Sequence, residues 1–474
     1  MGKQRGYSDV LIGLQYGDEG KAKIIDLLAP RYDVVARFNG GTNAGHTICT
    51  DRGSIALAQI PSAVFYPEID LYIGSGCVIS VPVLIKELTR CKELDLELSN
   101  RLSISPHASL VQPHQILLDK LFHREIGTTG KGIGPCYADR ALRMVNGQIR
   151  NIQMGLVKED PAKCIAAMQE NLRVTRELHN LSENAGEEEF REIEAGLHQI
   201  RAFVQDDALY LQRRVQSGAR VLFEGAQCVM LDVNRGSVPF VTSSHTVAGY
   251  AYVGGDVSPN FHRYTFGIAK AIMSRVGNGS FASEYGGKAS EEYCDKALSL
   301  GISRETESKE SAELLLGSDN RLDVAKGLRI LSGEYGTGTK RPRRIGHFDL
   351  VQLKNAVAQN AVDFIFLTKT DLLPNFKFTA QKKIPITVAY KTTAGKELPF
   401  SPVTEQVSAE ILQVIEEFDT FDGPINNLRD FDSLPAELIK ILTRIEQESG
   451  ARILGVGVGP MRDEIVTDWG IMNN

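Results

Sequence analysis

Short apolar runs rich in β-branched residues recur along the chain at Val10–Leu14, Val34–Phe38, Val221–Glu224, Phe364–Thr368 and Ile453–Val458. They are continuous rather than alternating, the pattern of strands buried on both faces of a parallel sheet. Helical periodicity lies between them. Phe190, Ile193, Leu197, Ile200 and Val204 make one amphipathic stripe. Leu438, Ile441, Leu442 and Ile445 make another, with Ser433 predicted as N-cap and Gly450 as the stop. The alternation predicts an α/β fold with a mainly parallel central sheet. Polar motifs follow the C-terminal end of each run: Asp18–Lys21, Asn39–Thr47, Gly225–Gln227, Lys369–Asp371 and Gly459–Pro460. Ligands of open α/β sheets bind at that edge. One site built from segments this far apart predicts a single large domain over residues 1–474, with helical subdomains, although length alone would suggest more.

Composition narrows the function classes. A net charge of −6 gives no basic face for nucleic acid. No apolar stretch approaches a membrane span, and the N-terminus has neither an h-region nor a myristoylation signal. The 7 cysteines are odd in number, scattered and without a CxxC pair, which predicts reduced thiols in a cytoplasmic protein rather than disulfides or a zinc site.

The sharpest motif is Gln15-Tyr-Gly-Asp-Glu-Gly-Lys-Ala-Lys23, between a strand and the apolar start of a helix. Glycines let backbone N–H groups close on phosphate oxygens, and the helix N-terminus adds positive charge. The common P-loop carries Gly at the position of Gln15 and Ser or Thr at that of Ala22, so no hydroxyl follows Lys21 to hold Mg²⁺. An acid, Asp18, stands in the loop instead. A carboxylate beside phosphates is costly unless it binds metal or moves a proton.

The other motifs add chemistry. Asn39-Gly-Gly-Thr-Asn-Ala-Gly-His46-Thr47 allows close approach to a ligand and supplies an acid or donor. Gly127-Thr-Thr-Gly-Lys-Gly-Ile-Gly134-Pro135 suits a monophosphate. Thr368-Lys-Thr-Asp371 offers an aspartate that accepts from guanine N1–H and the N2 amine, donors that adenine lacks on that edge. Arg341-Pro-Arg-Arg344, in an acidic chain, suits the carboxylate or phosphate of a small substrate.

Together with Phe223-Glu-Gly-Ala-Gln227 and Val241-Thr-Ser-Ser244, these motifs resemble the adenylosuccinate synthetase family over most of the chain. That family joins IMP to L-aspartate with GTP, by way of a 6-phosphoryl-IMP intermediate. The resemblance implies Asp18 as the catalytic base and a Mg²⁺ ligand, His46 as the general acid, Gln227 near the 6-oxygen, and the Gly45 carbonyl as a second metal ligand. It implies GTP contacts at Gly17, Glu19, Gly20, Lys21, Lys369, Asp371, Gly457, Gly459 and Pro460. IMP contacts are implied at Asn43, Thr129, Gln227, Thr242, Val276 and Arg343, and aspartate contacts at Thr339 and Arg341. Arg143 matches the arginine lent to a neighbouring subunit, so a homodimer is implied.

The chain departs from the common family pattern at Ala22, Cys228, Ser280, Ala282, Gly338, Lys340 and Gly457, the last standing where serine is common. Residues 287–330 form a longer insert, rich in Ser, Glu and Lys. The alternatives are a paralogue that aminates another 6-oxopurine nucleotide such as (d)GMP or uses another amine, and a GTP-binding regulatory protein. A 2-amino group would crowd a base near N1, so Asp18 favours IMP.

Overall fold

The computed structural model of the chain describes residues 5–43, 45–50, 53–122, 126–336, 341–398, 404, 407 and 410–473. Its main sheet has nine strands: β1 (Tyr7–Gly13), β2 (Val34–Arg37), β3 (Asp70–Ile73), β4 (Leu102–Ile104), β5 (Arg220–Glu224), β6 (His262–Lys270), β7 (Phe364–Thr368), β8 (Arg452–Gly457) and β9 (Ile465–Thr467). Their order is β9-β8-β7-β6-β1-β5-β2-β3-β4. Every neighbouring pair is parallel except β8 with β9. All five strands read from the sequence lie here, each ending within one residue of its expected end.

Alternation along the strands feeds two apolar layers. Val10, Ile12, Val34, Ala36 and Phe223 join Leu353, Ile441 and Ile445 on one face. Leu11, Val35 and Leu222 join Ile24, Leu28, Ile193 and Leu197 on the other. Burial on both faces explains the unbroken apolar runs. β6 escaped the sequence reading because Arg263, Thr265 and Lys270 interrupt its apolar pattern. It nonetheless lies beside β1, in the middle of the sheet.

The two expected helices are present, with shifted ends. Phe190–Ile200 falls in the helix Glu187–Ile200, but Val204 lies past it and bridges Ile104. The later helix runs Ala436–Ser449 with Pro435, not Ser433, at its N-cap. The residue before a proline is pushed out of the α region. Leu434 is accordingly extended, and Ser433 closes a short turn with its hydroxyl donating to Asp430 O at 2.6 Å. Gly450 stops the helix at φ 77°.

A second sheet joins Ile272–Arg275, Arg344–Asp349, Lys383–Lys391, Glu397–Leu398 and Leu412–Asp419. Beside it, the segment 287–330 forms the helices Gly287–Lys296, Arg304–Glu307, Ala312–Leu316 and Arg321–Ser332. Its polar composition hides a buried ion pair. Arg329 donates to both oxygens of Glu307 at 2.8 and 2.6 Å, and Tyr293 and Tyr335 add hydroxyl donors at 2.8 and 2.7 Å. Arg329 Nη1 also donates to Arg343 O at 2.9 Å, which fastens this segment to the arginine loop. Among the described residues no helix is long and apolar enough to cross a membrane, and Cys77, Cys91, Cys136, Cys164, Cys228 and Cys294 are free and buried.

Removing one partner of a buried pair strands the other charge. Arg329→Met is therefore expected to destabilise the protein by about 3–5 kcal/mol in urea unfolding. A loss below about 1 kcal/mol, the size of an exposed pair, would show that this pair does not hold the segment.

Candidate active site

The chain leaves β1 at Gly13, turns through Leu14–Gly20 and enters the helix Lys21–Leu28. Glu19 points inward. Its side chain is buried and accepts from Gly17 N at 2.8 Å, Gln15 N at 3.3 Å and Lys21 Nζ at 2.7 Å. Gly13 makes the room, since a Cβ there would lie 2.3 Å from Glu19 Oε2. The Glu19 carboxylate, expected at a GTP contact, braces the loop itself. Burial works against both charges, but mutual attraction prevails, holding Glu19 below and Lys21 above their ordinary pKa ranges. Neighbouring strands fix the loop further. Thr368 Oγ1 donates to Glu19 O at 2.8 Å, and Gln15 exchanges two hydrogen bonds with the Lys270 backbone at 3.0 and 2.9 Å.

Asp18 turns outward on left-handed backbone at φ 56°. Gln227, Lys369 and Arg143 also have a positive φ, at 55°, 63° and 62°. Non-glycine residues rarely adopt it, and it concentrates at functional sites. Four of the residues expected at the site therefore carry it.

His46 opens the short strand His46–Thr50. Its Nδ1 makes a short hydrogen bond to Glu224 Oε1 at the end of β5. Glu224 also accepts from Ser62 N at 2.7 Å and Ser62 Oγ at 2.6 Å, with Arg37 Nη1 at 3.9 Å. Burial pushes the Glu224 carboxyl up, but His46, Arg37 and Ser62 outweigh it and bring its pKa down to about 2. Burial also keeps His46 below its ordinary value. An ionised Glu224 demands a proton on Nδ1, which leaves Nε2 for a ligand.

Asn39 stitches the loop after β2 to the loop after β5, donating to Ala226 O at 3.1 Å and accepting from Ala226 N at 2.8 Å. This places Gln227, whose Oε1 accepts from Ser244 Oγ at 3.4 Å and whose Nε2 is buried with no partner among the described residues. A buried amide donor without an acceptor calls for one in the ligand. Asn43 Nδ2 donates to Thr242 Oγ1 at 3.3 Å, joining two expected contacts 199 residues apart in sequence.

The second glycine-rich loop leads into the helix Ile133–Leu142. Asp119 pins it from below, accepting from Thr128 Oγ1 at 2.9 Å and Gly132 N at 2.8 Å, and Lys131 Nζ donates to Thr42 O at 2.8 Å. Thr129 stands exposed on it. Arg143 caps the opposite end of that helix, also exposed, beside exposed Leu142, Met144 and Val145. The structure does not bring Arg143 to the site of its own chain.

Lys369 and Asp371 follow β7, and Thr370 Oγ1 donates to Gly457 O at 2.9 Å. The departure at Gly457 has a steric reason: a Cβ there would lie 3.1 Å from Thr368 Cα, so β8 closes tightly on β7. Lys23 Nζ donates to Gly459 O at 2.7 Å and Glu464 O at 2.9 Å, holding the loop that carries exposed Pro460. Burial lowers the Lys23 pKa to about 8 and raises that of Asp371. The sequence reading passed over Lys23.

Arg343 reaches the phosphate loop, pairing with Asp18 Oδ2 at 2.6 Å through Nη2 and with Glu334 Oε2 at 2.9 Å through Nη1. Val276, Arg341 and Arg343 line one cavity. Arg341 also donates to Cys294 O at 2.7 Å and Asp295 Oδ1 at 2.9 Å in the helix Gly287–Lys296. Thr339, with Gly338 and Lys340, lies outside the described residues. Sequence reasoning missed Lys270 and Glu334 and gave Glu224 no role. The one available signal was Glu224's place inside a quoted motif at a strand end.

Two glycine-rich loops thus open near one sheet edge, one carrying an outward acid, with a carboxylate-backed imidazole between neighbouring segments. This is the layout of a nucleotide-dependent ligase that handles two phosphorylated ligands. The adenylosuccinate synthetase family model matches residues 10–466. "Adenylosuccinate synthetase 2" of Cupriavidus pinatubonensis is 41% identical over 465 residues, covering 97% of each chain. The adenylosuccinate synthetase of Chlorobium phaeobacteroides is 34% identical over 462 residues, covering 96% of each. The fully ligated adenylosuccinate synthetase structure from Plasmodium falciparum superimposes with TM-score 0.82 at 31% identity, covering 98% of this chain and 100% of that one. The chain belongs to the adenylosuccinate synthetase family. It is a ligase that forms a C–N bond.

Glu224→Gln keeps the shape but removes the charge that orients His46. The expected loss is about 1.5–3 kcal/mol of transition-state stabilisation, roughly 10- to 150-fold in kcat. An unchanged kcat in folded protein would show that Glu224 does not act through His46.

Proposed function

We propose that this chain converts IMP, L-aspartate and GTP to adenylosuccinate, GDP and phosphate through 6-phosphoryl-IMP, with the residues above in defined roles. The observation that carries the reading is Asp18, an acid turned out of a phosphate loop beside Lys21 and Arg343. Asp18 takes the N1 proton of IMP, which builds charge on O6. The unpaired Gln227 Nε2 donates to that oxygen. O6 attacks the γ-phosphorus, and the bond from phosphorus to the β-bridging oxygen breaks. His46 Nε2 faces the transferring group, whose negative charge favours a proton there. The aspartate amine then bonds to C6 and gives up a proton, and the C6–O6 bond breaks as O6 departs with the phosphate, which takes that proton up.

Gly17, Gly20 and Lys21 serve the GTP phosphates. Lys369, Asp371, Gly457, Gly459 and Pro460 serve the guanine. Asn43, Thr129, Thr242, Val276 and Arg343 serve IMP, and Arg341 with Thr339 serves aspartate. The donor set also fits Mg²⁺. Asp18 offers a part-exposed carboxylate, and Gly45 offers an open backbone, where even a Cβ would meet nothing within 4 Å. Two hard oxygen donors suit an ion that keeps waters and takes phosphate oxygens. Bound there, Mg²⁺ would offset charge on the β- and γ-phosphates.

The chain works as a homodimer in which Arg143, exposed among apolar neighbours and away from its own site, serves the partner's IMP phosphate. The buried free thiols suit the cytoplasm. Residues 1–474 act as one domain, because the required loops run from Asp18 to Pro460.

Purified protein with Mg²⁺ and GTP is expected to form adenylosuccinate only when both IMP and aspartate are present. GMP, dGMP and a panel of other amines serve as competing arms. Better kcat/KM with another purine or amine would move the specificity, and GDP release without either substrate would favour a regulatory GTPase.

Asp371→Asn is expected to raise the KM for GTP strongly and to improve use of xanthosine triphosphate, whose C2 oxygen accepts rather than donates. Recognition of guanine needs ionised Asp371, whose pKa burial raises. GTP affinity in the wild type should therefore fall as pH drops through a value above the ordinary ~3.9 for aspartate. The Asn variant should lack that pH dependence. An unchanged GTP/XTP preference would place base recognition elsewhere.

A further inference from the structure

Glu334 lies between the helix Arg321–Ser332 and the arginine loop, and it is buried. Its carboxylate meets three cations from three different ligand-facing segments. Oε2 takes Arg343 Nη1 at 2.9 Å and lies 3.7 Å from Lys270 Nζ, while Oε1 takes Lys369 Nζ at 3.2 Å. Ser274 Oγ donates to Oε2 at 2.6 Å and accepts from Lys270 Nζ at 2.5 Å. Each cation has a second engagement. Arg343 holds Asp18 at 2.6 Å, Lys270 donates to Gly17 O in the phosphate loop at 2.9 Å, and Lys369 donates to Ser332 O at 2.7 Å at the foot of the guanine-reading segment. Burial opposes the carboxylate's charge, but the cations overcome it, so Glu334 stays ionised.

We propose that Glu334 is a positioning residue that couples the guanine segment to Asp18 and the amine-donor loop through the competition of Lys369 and Arg343 for one carboxylate. The proposal rests on the functional reading above. A guanine base that draws Lys369 toward itself leaves more of the Glu334 carboxylate to Arg343. Arg343 then loosens its hold on Asp18, which becomes available for proton transfer. In the other direction, a substrate anion that engages Arg343 leaves Glu334 to Lys369 and steadies the guanine segment. Such coupling is reciprocal, so the two ligands must strengthen each other's binding by the same factor.

The test uses the full-length protein. GTP binding is measured by calorimetry for wild type, Glu334→Gln, Lys369→Met and the double variant. Each single change is expected to weaken GTP several-fold, and the double variant to bind no more weakly than Lys369→Met alone. In the steady state, saturating IMP, the ligand assigned to Arg343, is expected to lower the wild-type KM for GTP by about 5-fold or more. In Glu334→Gln that ratio should collapse to near one, and kcat should fall as well, because Arg343 keeps its hold on Asp18. If Glu334→Gln does not fold, Ser274→Ala removes one hydrogen bond to the carboxylate and should show the same pattern in smaller measure. Additive losses in the double variant, or an intact IMP effect in Glu334→Gln, overturn the proposal and leave Glu334 as a strut. Calorimetry needs no turnover. Failure of the wild type to make adenylosuccinate would therefore refute the proposed reaction while the binding cycle still decides the role of Glu334.

Discussion

A carboxylate taken out of water must be paired and hydrogen-bonded, or it costs several kcal/mol. That constraint organises this protein, because its ligand-facing loops are built over buried acids. Glu19 lies beneath the first phosphate loop, and Asp119 beneath the second. Glu224 stands behind His46, and Glu334 behind Arg343 and Lys369. Glu307 anchors the helical segment that holds the carbonyl of Arg343. Glu19 takes its donors from its own loop and Asp119 from the loop that follows it, while Glu224, Glu334 and Glu307 collect theirs from segments distant in sequence. Satisfying the buried charge therefore fixes the loops relative to one another, and the outward groups inherit that order.

The distinction between Asp18 and Glu19 shows how local this is. Two adjacent acids in one loop have opposite fates because Gly13 leaves a gap that only a side chain from position 19 fills. Left-handed backbone at Asp18 turns the other acid out. The first carboxylate is spent on the loop's own N–H groups and on Lys21, and the second remains for chemistry.

The parts of this design differed in how visible they were in the sequence. Strands buried on both faces announce themselves as unbroken apolar runs, and ligand motifs at their ends follow from the parallel sheet. Hence β1, β2, β5, β7 and β8 and most outward residues were legible. β6 was not, because Lys270 and Arg263 read as solvent-facing charges until a buried partner is known. Glu334 and Glu307 were hidden for the same reason: a buried glutamate looks like a surface glutamate in one sequence, and its partners lie in other segments. The polar insert illustrates the error most plainly, since its Ser, Glu and Lys content gave no hint of the Glu307–Arg329 pair at its centre. The misplaced start of the helix Ala436–Ser449 has a different origin. A serine at a plausible capping distance was outranked by the restriction that Pro435 imposes on Leu434.

The same pairing bears on how the chain handles anionic ligands despite a net charge of −6. Lys21, Lys369 and Arg343 each hold a protein carboxylate already, at 2.7, 3.2 and 2.9 Å. A phosphate or carboxylate ligand arriving there does not meet bare, mobile cations. It meets cations held in place, whose charge is partly balanced and whose side-chain entropy is largely lost on folding. The ligand gains less raw attraction than an unpaired lysine would offer. In return the donors need little reorganisation as the phosphoryl group moves from GTP to the purine oxygen and leaves as phosphate, which is the condition under which fixed dipoles and charges lower a barrier most. The arrangement also makes the cations depend on one another, since a carboxylate shared by two of them transmits a change at one to the other. Precision of charge placement, rather than excess of positive charge, is thus what the buried acids provide.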